Sequence, residues 1–269
     1  MKLFLFITLN SLFISSLWAA PEKDLDKFWL PHAPEKTKSI SHSQWQTILN
    51  SYLVTTQEQQ TFFSYSRVSK KDLKQLKGYI NELVNLDPHT LTRAQQKAYW
   101  INLYNAKTVD LILDNYPVKS ITKLGKGFFS FGPWDDKTLT INNKELSLND
   151  IEHRILRPIY NDARIHYAVN CASYSCPNLA DQAYTVENMD QLLDKGAEHY
   201  INHPRGVSIK NNKLTLSSIY SWYQIDFGED EKALIKHLTD YAKPGLKAAL
   251  DVIKGKIEYD YNWDLNELK

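Results

Sequence analysis

The stretch RIHYAVNCASYSCPNL, residues 164–179, decides how the rest of the chain is read. It opens with alternation: Ile165, Tyr167 and Val169 on one side, His166, Ala168 and Asn170 on the other. Successive side chains of a strand point to opposite faces. The polar side is only weakly polar here, so the run predicts a central strand of a sheet. It ends on the only two cysteines of the 269-residue chain, Cys171 and Cys176. A cysteine just past a strand end, entering a turn, meets backbone N–H groups without partners. Such donors stabilise the thiolate, the reactive form of the side chain. The N–H groups of residues 172–175, Ser173 among them, are then candidate donors to an oxyanion.

A nucleophilic thiol also needs a base and a group that orients the base. His166 lies on the same run as Cys171, yet strict alternation puts the two on opposite faces unless the chain turns at Asn170. His153, beside Glu152, is a second candidate base, and His199, His203 and His237 follow the cysteines. Two other readings compete. Cys171 and Cys176, five residues apart, can close a disulfide if the loop curls. A single Cys-x4-Cys with one histidine nearby lacks a second ligand pair, so no metal centre is expected.

The first residues set the expected compartment. Lys2, an apolar run over residues 3–17 and the small Ala19 and Ala20 have the layout of a secretory leader, with cleavage expected after Ala19 or Ala20. The run is too short for a comfortable membrane span, and no later segment reads as one. An exported protein in an oxidising compartment favours a disulfide without requiring it. Lys and Arg number 32 against 31 Asp and Glu, a net charge of +1, and no basic run occurs, so nucleic acid is not an expected partner.

Residues 21–43 read as a lead-in segment outside the core, and residues 44–269 as a single domain. From Ser43 to Leu86 apolar residues recur at helical spacing. Thr92 and Gln95 form a capping box for a helix that Asn115, Tyr116 and Pro117 end. That helix is apolar nearly all round and therefore buried, which makes Asn102 and Asn105, three apart, either structural ties or pocket residues. The glycine-punctuated aromatic loop 125–134 lacks phosphate-loop spacing, and no cofactor motif is found. Two Asn-Asn turns, Asn142-Asn143 and Asn211-Asn212, predict two hairpins that feed one sheet. Ser147 with Asp150 opens a helix; further helices are predicted over 180–202 and 229–241. A one-sided strand is predicted where Ile257, Tyr259, Tyr261 and Trp263 alternate with polar residues. The fold class is α+β: a helical N-terminal part packed on a small, mainly antiparallel sheet.

Five runs together resemble the domain of unknown function 547 family: AYWINLYNA (98–106), YPVKSI (116–121), IEHRILRP (151–158), the cysteine run itself, and WYQIDFG (222–228). The resemblance spans about residues 93–228, roughly half the chain. It implies a distant relation to papain-like and transglutaminase-like thiol enzymes, hence a papain-like core. It implies Cys171 as nucleophile, His166 as its base or a site-lining group, and Glu152, His153, Asn102 and Asn105 as pocket residues; Asn170 and Ser173, on either side of Cys171, are expected to line the same pocket. The expectation is an exported thiol hydrolase or acyltransferase acting on peptide-like amides, with a peptide or cell-wall ligand. The alternative is a non-catalytic exported binding module stapled by Cys171–Cys176.

Overall fold

The computed structural model describes residues 21–35, 38–125 and 131–268. The predicted leader, residues 1–20, and the centre of the aromatic loop, residues 126–130, lie outside the described residues. The chain is α+β, built on helix α3 (Arg93–Asp114). The Thr92 hydroxyl accepts from the Gln95 N–H and the Gln95 side chain accepts from the Thr92 N–H, so the capping box forms as the sequence predicts. Tyr99, Trp100, Ile101, Leu103 and Tyr104 are all buried, which places α3 at the centre of the larger core.

Helix α2 (Lys70–Val84) packs beside it, and α1 (Ser43–Tyr52) packs on α2. The apolar spacing predicted helix between them; instead the chain folds back as β1 (Leu53–Thr55) and β2 (Thr61–Phe63). Val54, Thr55 and Thr61 are β-branched and Phe62 and Phe63 aromatic, types that favour strands, and Gln59 adopts φ 64° in the turn. The lead-in segment also differs from expectation. Trp29 is 1% exposed and meets Trp100 edge-on at 5.1 Å, so this segment contributes to the core.

Both Asn-Asn turns form, with φ of 48° and 58° at Asn142 and Asn143, and 49° and 61° at Asn211 and Asn212. Asparagine tolerates this left-handed backbone. The hairpins do not share a sheet, however. β3 (Leu139–Ile141) and β4 (Lys144–Leu146) pair only with each other. A seven-residue π-helix, Asp150–Leu156, follows and runs into α4 (Arg157–Tyr160). Helix α5 (Met189–Ile201) begins later than predicted. β5 (Val207–Lys210) and β6 (Lys213–Ser217) form the second hairpin. After it come α6 (Ile219–Trp222), α7 (Gln224–Phe227), α8 (Glu231–Tyr241) and α9 (Pro244–Val252). β7 (Glu258–Asp260) then joins β6 in parallel, pairing Tyr259 with Leu216. These later elements build a second, smaller core.

The segment read as a central strand is not one. Asp162 accepts from the Arg164 N–H and starts a 3-10 turn over Ala163–Tyr167. Ile165, Ala168 and Val169 lie in the larger core and Tyr167 in the smaller one. The alternation therefore records a segment running along the seam between two cores, buried on both sides. Its backbone is satisfied by a side chain rather than by a strand: Asn105 Nδ2 donates to the Ala168 carbonyl at 2.9 Å, and the Asn170 N–H donates to Asn105 Oδ1 at 2.8 Å. The C-terminal run also departs from expectation. Ile257 is buried but Tyr259 is 40% exposed, and beyond Asp260 the chain leaves the sheet. Among the described residues no helix is long and apolar enough to cross a membrane.

Candidate active site

The seam segment delivers Cys171 to a cavity of about 370 Å3 that Glu152 and His166 also line. The turn at Asn170 allows this. Asn170 Nδ2 donates to the Pro177 carbonyl at 2.7 Å, its Oδ1 accepts from the Ala172 N–H at 2.9 Å, and Asn266 Nδ2 reaches the same oxygen at 3.3 Å. Ala172 is forced to φ 56°, a left-handed conformation that residues with a Cβ seldom adopt. Strain of this kind persists only where the surroundings over-determine it. His166 and Cys171, expected on opposite faces, thus line one cavity because no strand separates them.

Asn105 and Asn102 tie backbone rather than line the cavity. Asn102 brackets Tyr184, donating to its carbonyl at 2.7 Å and accepting from its N–H at 3.0 Å. Asn105 holds the residues that precede the cysteine. Replacing Asn105 with alanine orphans a buried carbonyl and a buried N–H; at about 1–3 kcal/mol for an unsatisfied group, we expect a loss of about 2 kcal/mol in urea unfolding.

Cys171 and Cys176 are free thiols with their sulfurs 2.9 Å apart. The Cys171 sulfur also lies 3.2 Å from Ser173 Oγ and 3.2 Å from the Tyr261 hydroxyl, which are themselves 2.8 Å apart. Burial would raise the Cys171 thiol, but the hydrogen bonds from Cys176, Ser173 and Tyr261 outweigh it and lower the pKa. Cys176 goes the other way: burial and the neighbouring Cys171 push it well up, so it keeps its proton.

Three of the four expected oxyanion donors are taken, and the fourth, the Ser173 N–H, is directed to the Cys171 thiol itself. The Ala172 N–H serves Asn170, the Tyr174 N–H donates to Asp264 at 2.6 Å, and the Ser175 N–H donates to Asn262 at 3.1 Å. The C-terminal segment takes up two of the N–H groups that the turn was expected to leave open, those of Tyr174 and Ser175. What it supplies instead is the Tyr261 hydroxyl.

His166 stands in a charged cluster. Its Nε2 is 2.8 Å from Asp226 Oδ2, its Nδ1 is 3.7 Å from Glu152 Oε1, and its ring stacks on Tyr223 at 4.3 Å. The 3.7 Å contact is an ion-pair distance rather than a hydrogen bond. Arg157 Nε donates to Asp226 Oδ2 at 2.5 Å, its NH1 donates to His153 Nδ1 at 3.0 Å and to the Pro21 carbonyl at 2.8 Å, and its guanidinium lies over Tyr223. Lys23 is 3.3 Å from Asp226 Oδ1. Burial works against ionisation of Glu152, yet His153, His166 and Arg157 take its pKa to about 2. Asp226 is likewise held well below the carboxylate range, by His166 and Arg157 against burial. Burial lowers His153 to about 4, and Arg157 already donates to its Nδ1. His153 therefore sits beside the cluster as a neutral acceptor.

The π-helix explains part of this arrangement. Its wide turn lets the Arg157 N–H bond the Glu152 carbonyl, five residues back, and it carries Glu152 and His153. π-helical turns are rare and recur at functional sites. No histidine nitrogen is within hydrogen-bond reach of the Cys171 sulfur among the described residues; its partners are Cys176, Ser173 and Tyr261. His199, His203 and His237 do not line this cavity. Sequence reasoning missed Asp226, Arg157, Tyr223 and Tyr261. Three of them stand inside the quoted runs IEHRILRP and WYQIDFG, where an acid and a base flanked by apolar residues were the available signal.

The mouth of the cavity is aromatic: Phe131, Trp134, Trp222, Tyr261 and Trp263. Gly132, at φ 88°, makes room for it, since a Cβ there would come within 2.0 Å of the Trp134 ring. Gly132→Ala should displace that indole, shifting tryptophan emission and lowering stability by about 1–2 kcal/mol.

Residues 88–201 match the family model described as "Protein of unknown function, DUF547". No curated protein and no solved structure matches the chain.

Proposed function

We propose, with the match of residues 88–201 to the DUF547 family model as the starting point, that this chain is an exported thiol hydrolase or acyltransferase acting on peptide-like amides. One observation carries the reading: a hydrogen-bonded thiol with a lowered pKa, a histidine and a buried carboxylate line one cavity. In the proposed reaction the Cys171 thiolate attacks the acyl carbon and the C–S bond forms. The Tyr261 hydroxyl, beside the sulfur, donates to the developing oxyanion. The C–N bond then breaks, and the amine leaves with a proton delivered by His166. Water or a second amine attacks the thioester, returns a proton to the site and frees Cys171. Glu152 and Asp226 orient the imidazole. Export rests on the leader-like residues 1–20.

The test is the intact mass of the reduced protein after exposure to p-nitrophenyl acetate. A single acetyl adduct that maps to Cys171, absent from Cys171→Ala and slower to clear in His166→Gln, supports the reading. An unmodified Cys171, or an adduct that persists in Cys171→Ala, overturns it.

A second reading has its own observation. Cys171 has no histidine partner, and its sulfur rests 2.9 Å from Cys176. In that reading the protein is a non-catalytic binding module whose two thiols oxidise to a staple, and the acetyl adduct fails to form.

A further inference from the structure

The aromatic mouth of the cavity is more than a wall. Trp263 is its hub: Trp222 stacks on it at 5.5 Å, Tyr261 tilts against it at 4.5 Å, and Trp134 and Phe131 meet it at 5.5 and 5.2 Å. These rings come from three separate places in the chain: the loop before β3, helix α6, and the segment after β7. All are only partly buried. Half-exposed aromatics drawn together from distant segments, facing a cavity, are a patch that marks a binding site. Because the rings touch one another around Trp263, at interplanar angles from 25° to 88°, they form an angled shelf. A cage for a cation would instead surround an opening with ring faces.

Two further features choose the ligand. The indole N–H groups of Trp134, Trp222 and Trp263 donate to no protein acceptor among the described residues. Beside the shelf, Asn149 Nδ2 donates to Asp135 Oδ1 at 2.7 Å, and both residues line the cavity. That pairing fixes the Asp135 carboxylate and leaves its second oxygen as an acceptor. A purely apolar ligand would cover the indole N–H groups without satisfying them, at a cost. A ligand with a flat apolar face and a polar edge satisfies both sets of groups. A pyranose ring has this form: axial C–H groups on its face, hydroxyls at its rim.

We propose that the shelf binds the pyranose rings of a neutral glycan and presents an acyl or amide group carried by that glycan to Cys171. Glycan binding itself does not depend on the thiol chemistry, so the two readings fail separately. The cavity, at about 370 Å3, is within the size range of small-ligand sites and holds one or two sugar rings.

The experiment is isothermal titration of the reduced protein, and of Cys171→Ser, with neutral β-linked trisaccharides of glucose and of N-acetylglucosamine, with tryptophan emission followed in parallel. A phenylalanine-containing tripeptide amide serves as the comparison ligand. At least one trisaccharide should bind saturably to both proteins, with a shift in emission. Binding should weaken at least tenfold in Trp222→Leu and severalfold in Asp135→Ala. Trp222→Leu is chosen because the ring is half-exposed, and circular dichroism confirms that the variant is folded. The proposal is overturned if no trisaccharide binds the folded protein, if binding survives Trp222→Leu unchanged, or if the tripeptide binds more tightly than every trisaccharide. Glycan binding without an acetyl adduct at Cys171 would keep the glycan site and overturn both the presentation of a substrate to Cys171 and the thiol enzyme.

Discussion

Replacing Arg157 with methionine should cost about 3–5 kcal/mol of folding stability, the usual result of leaving a buried charge without its partner. The Arg157 side chain is 3% exposed and Asp226 7%. The guanidinium serves three acceptors at once, Asp226, His153 and the Pro21 carbonyl. Methionine keeps much of the volume over Tyr223 but abandons Asp226 to His166 and Lys23. The double variant Arg157→Met, Asp226→Asn should recover more than half of the loss, because the orphaned charge is then gone. Urea unfolding of both variants checks this. Additive losses would mean that the two side chains do not act as a pair.

Acid should be the second large destabiliser, and it should act early. Burial lowers both His42 and His153 to about 4 from the ordinary 6.5. Their folded forms stay neutral while the unfolded chain takes up protons below pH 6.5. The unfolded state therefore binds more protons as pH falls from 6.5 to about 4, and stability declines over that window. Each pH unit costs up to about 1.4 kcal/mol per group, so the two together remove a few kcal/mol by pH 4. Below that, Glu152 takes over. Its folded pKa of about 2 lies under the ordinary 4.5, so its stabilisation is complete above 4.5 and is lost as pH falls toward 2. Thermal melts from pH 7.5 to 3.5 should show a continuous decline beginning near 6.5. In His153→Gln, which cannot take up that proton, the decline should be shallower. A flat profile down to pH 4.5 would contradict the burial of neutral histidines.

How much of this was legible in the residues varied with how local the cause was. The capping box at Thr92 and Gln95 and the two Asn-Asn turns are short-range devices, and each forms where it was expected. The 164–170 alternation misled because period-two burial has a second cause. A segment threaded between two cores buries every residue, and nothing within it says which core receives which side chain. The hairpin at 53–63 was hidden for a related reason: its apolar residues continue the helical spacing on either side. At the site, Cys171, His166 and Glu152 were found from residue type and neighbourhood, and they do line one cavity. Asp226 and Tyr261 lie 60 residues from His166 and 90 from Cys171 along the chain, and only the folded seam brings them in. Two of the expected oxyanion donors, the Tyr174 and Ser175 N–H groups, were lost for the same reason, since the acceptors that occupy them arrive from Asp264 and Asn262 in the tail.

The central claim is that Cys171 is an activated thiol in a binding cavity, and the most direct measurement is its rate of alkylation by iodoacetamide against pH. Intact mass and peptide mapping would follow the reduced protein. The account predicts that Cys171 alone reacts. It predicts a rate midpoint below the ordinary thiol value of about 8.5, moved upward in Tyr261→Phe and in Cys176→Ala as the hydrogen-bond donors are removed. Cys176, held protonated and buried, should remain unlabelled until the protein unfolds. A Cys171 that alkylates no faster than free cysteine, with a midpoint unmoved by Tyr261→Phe, would contradict the account.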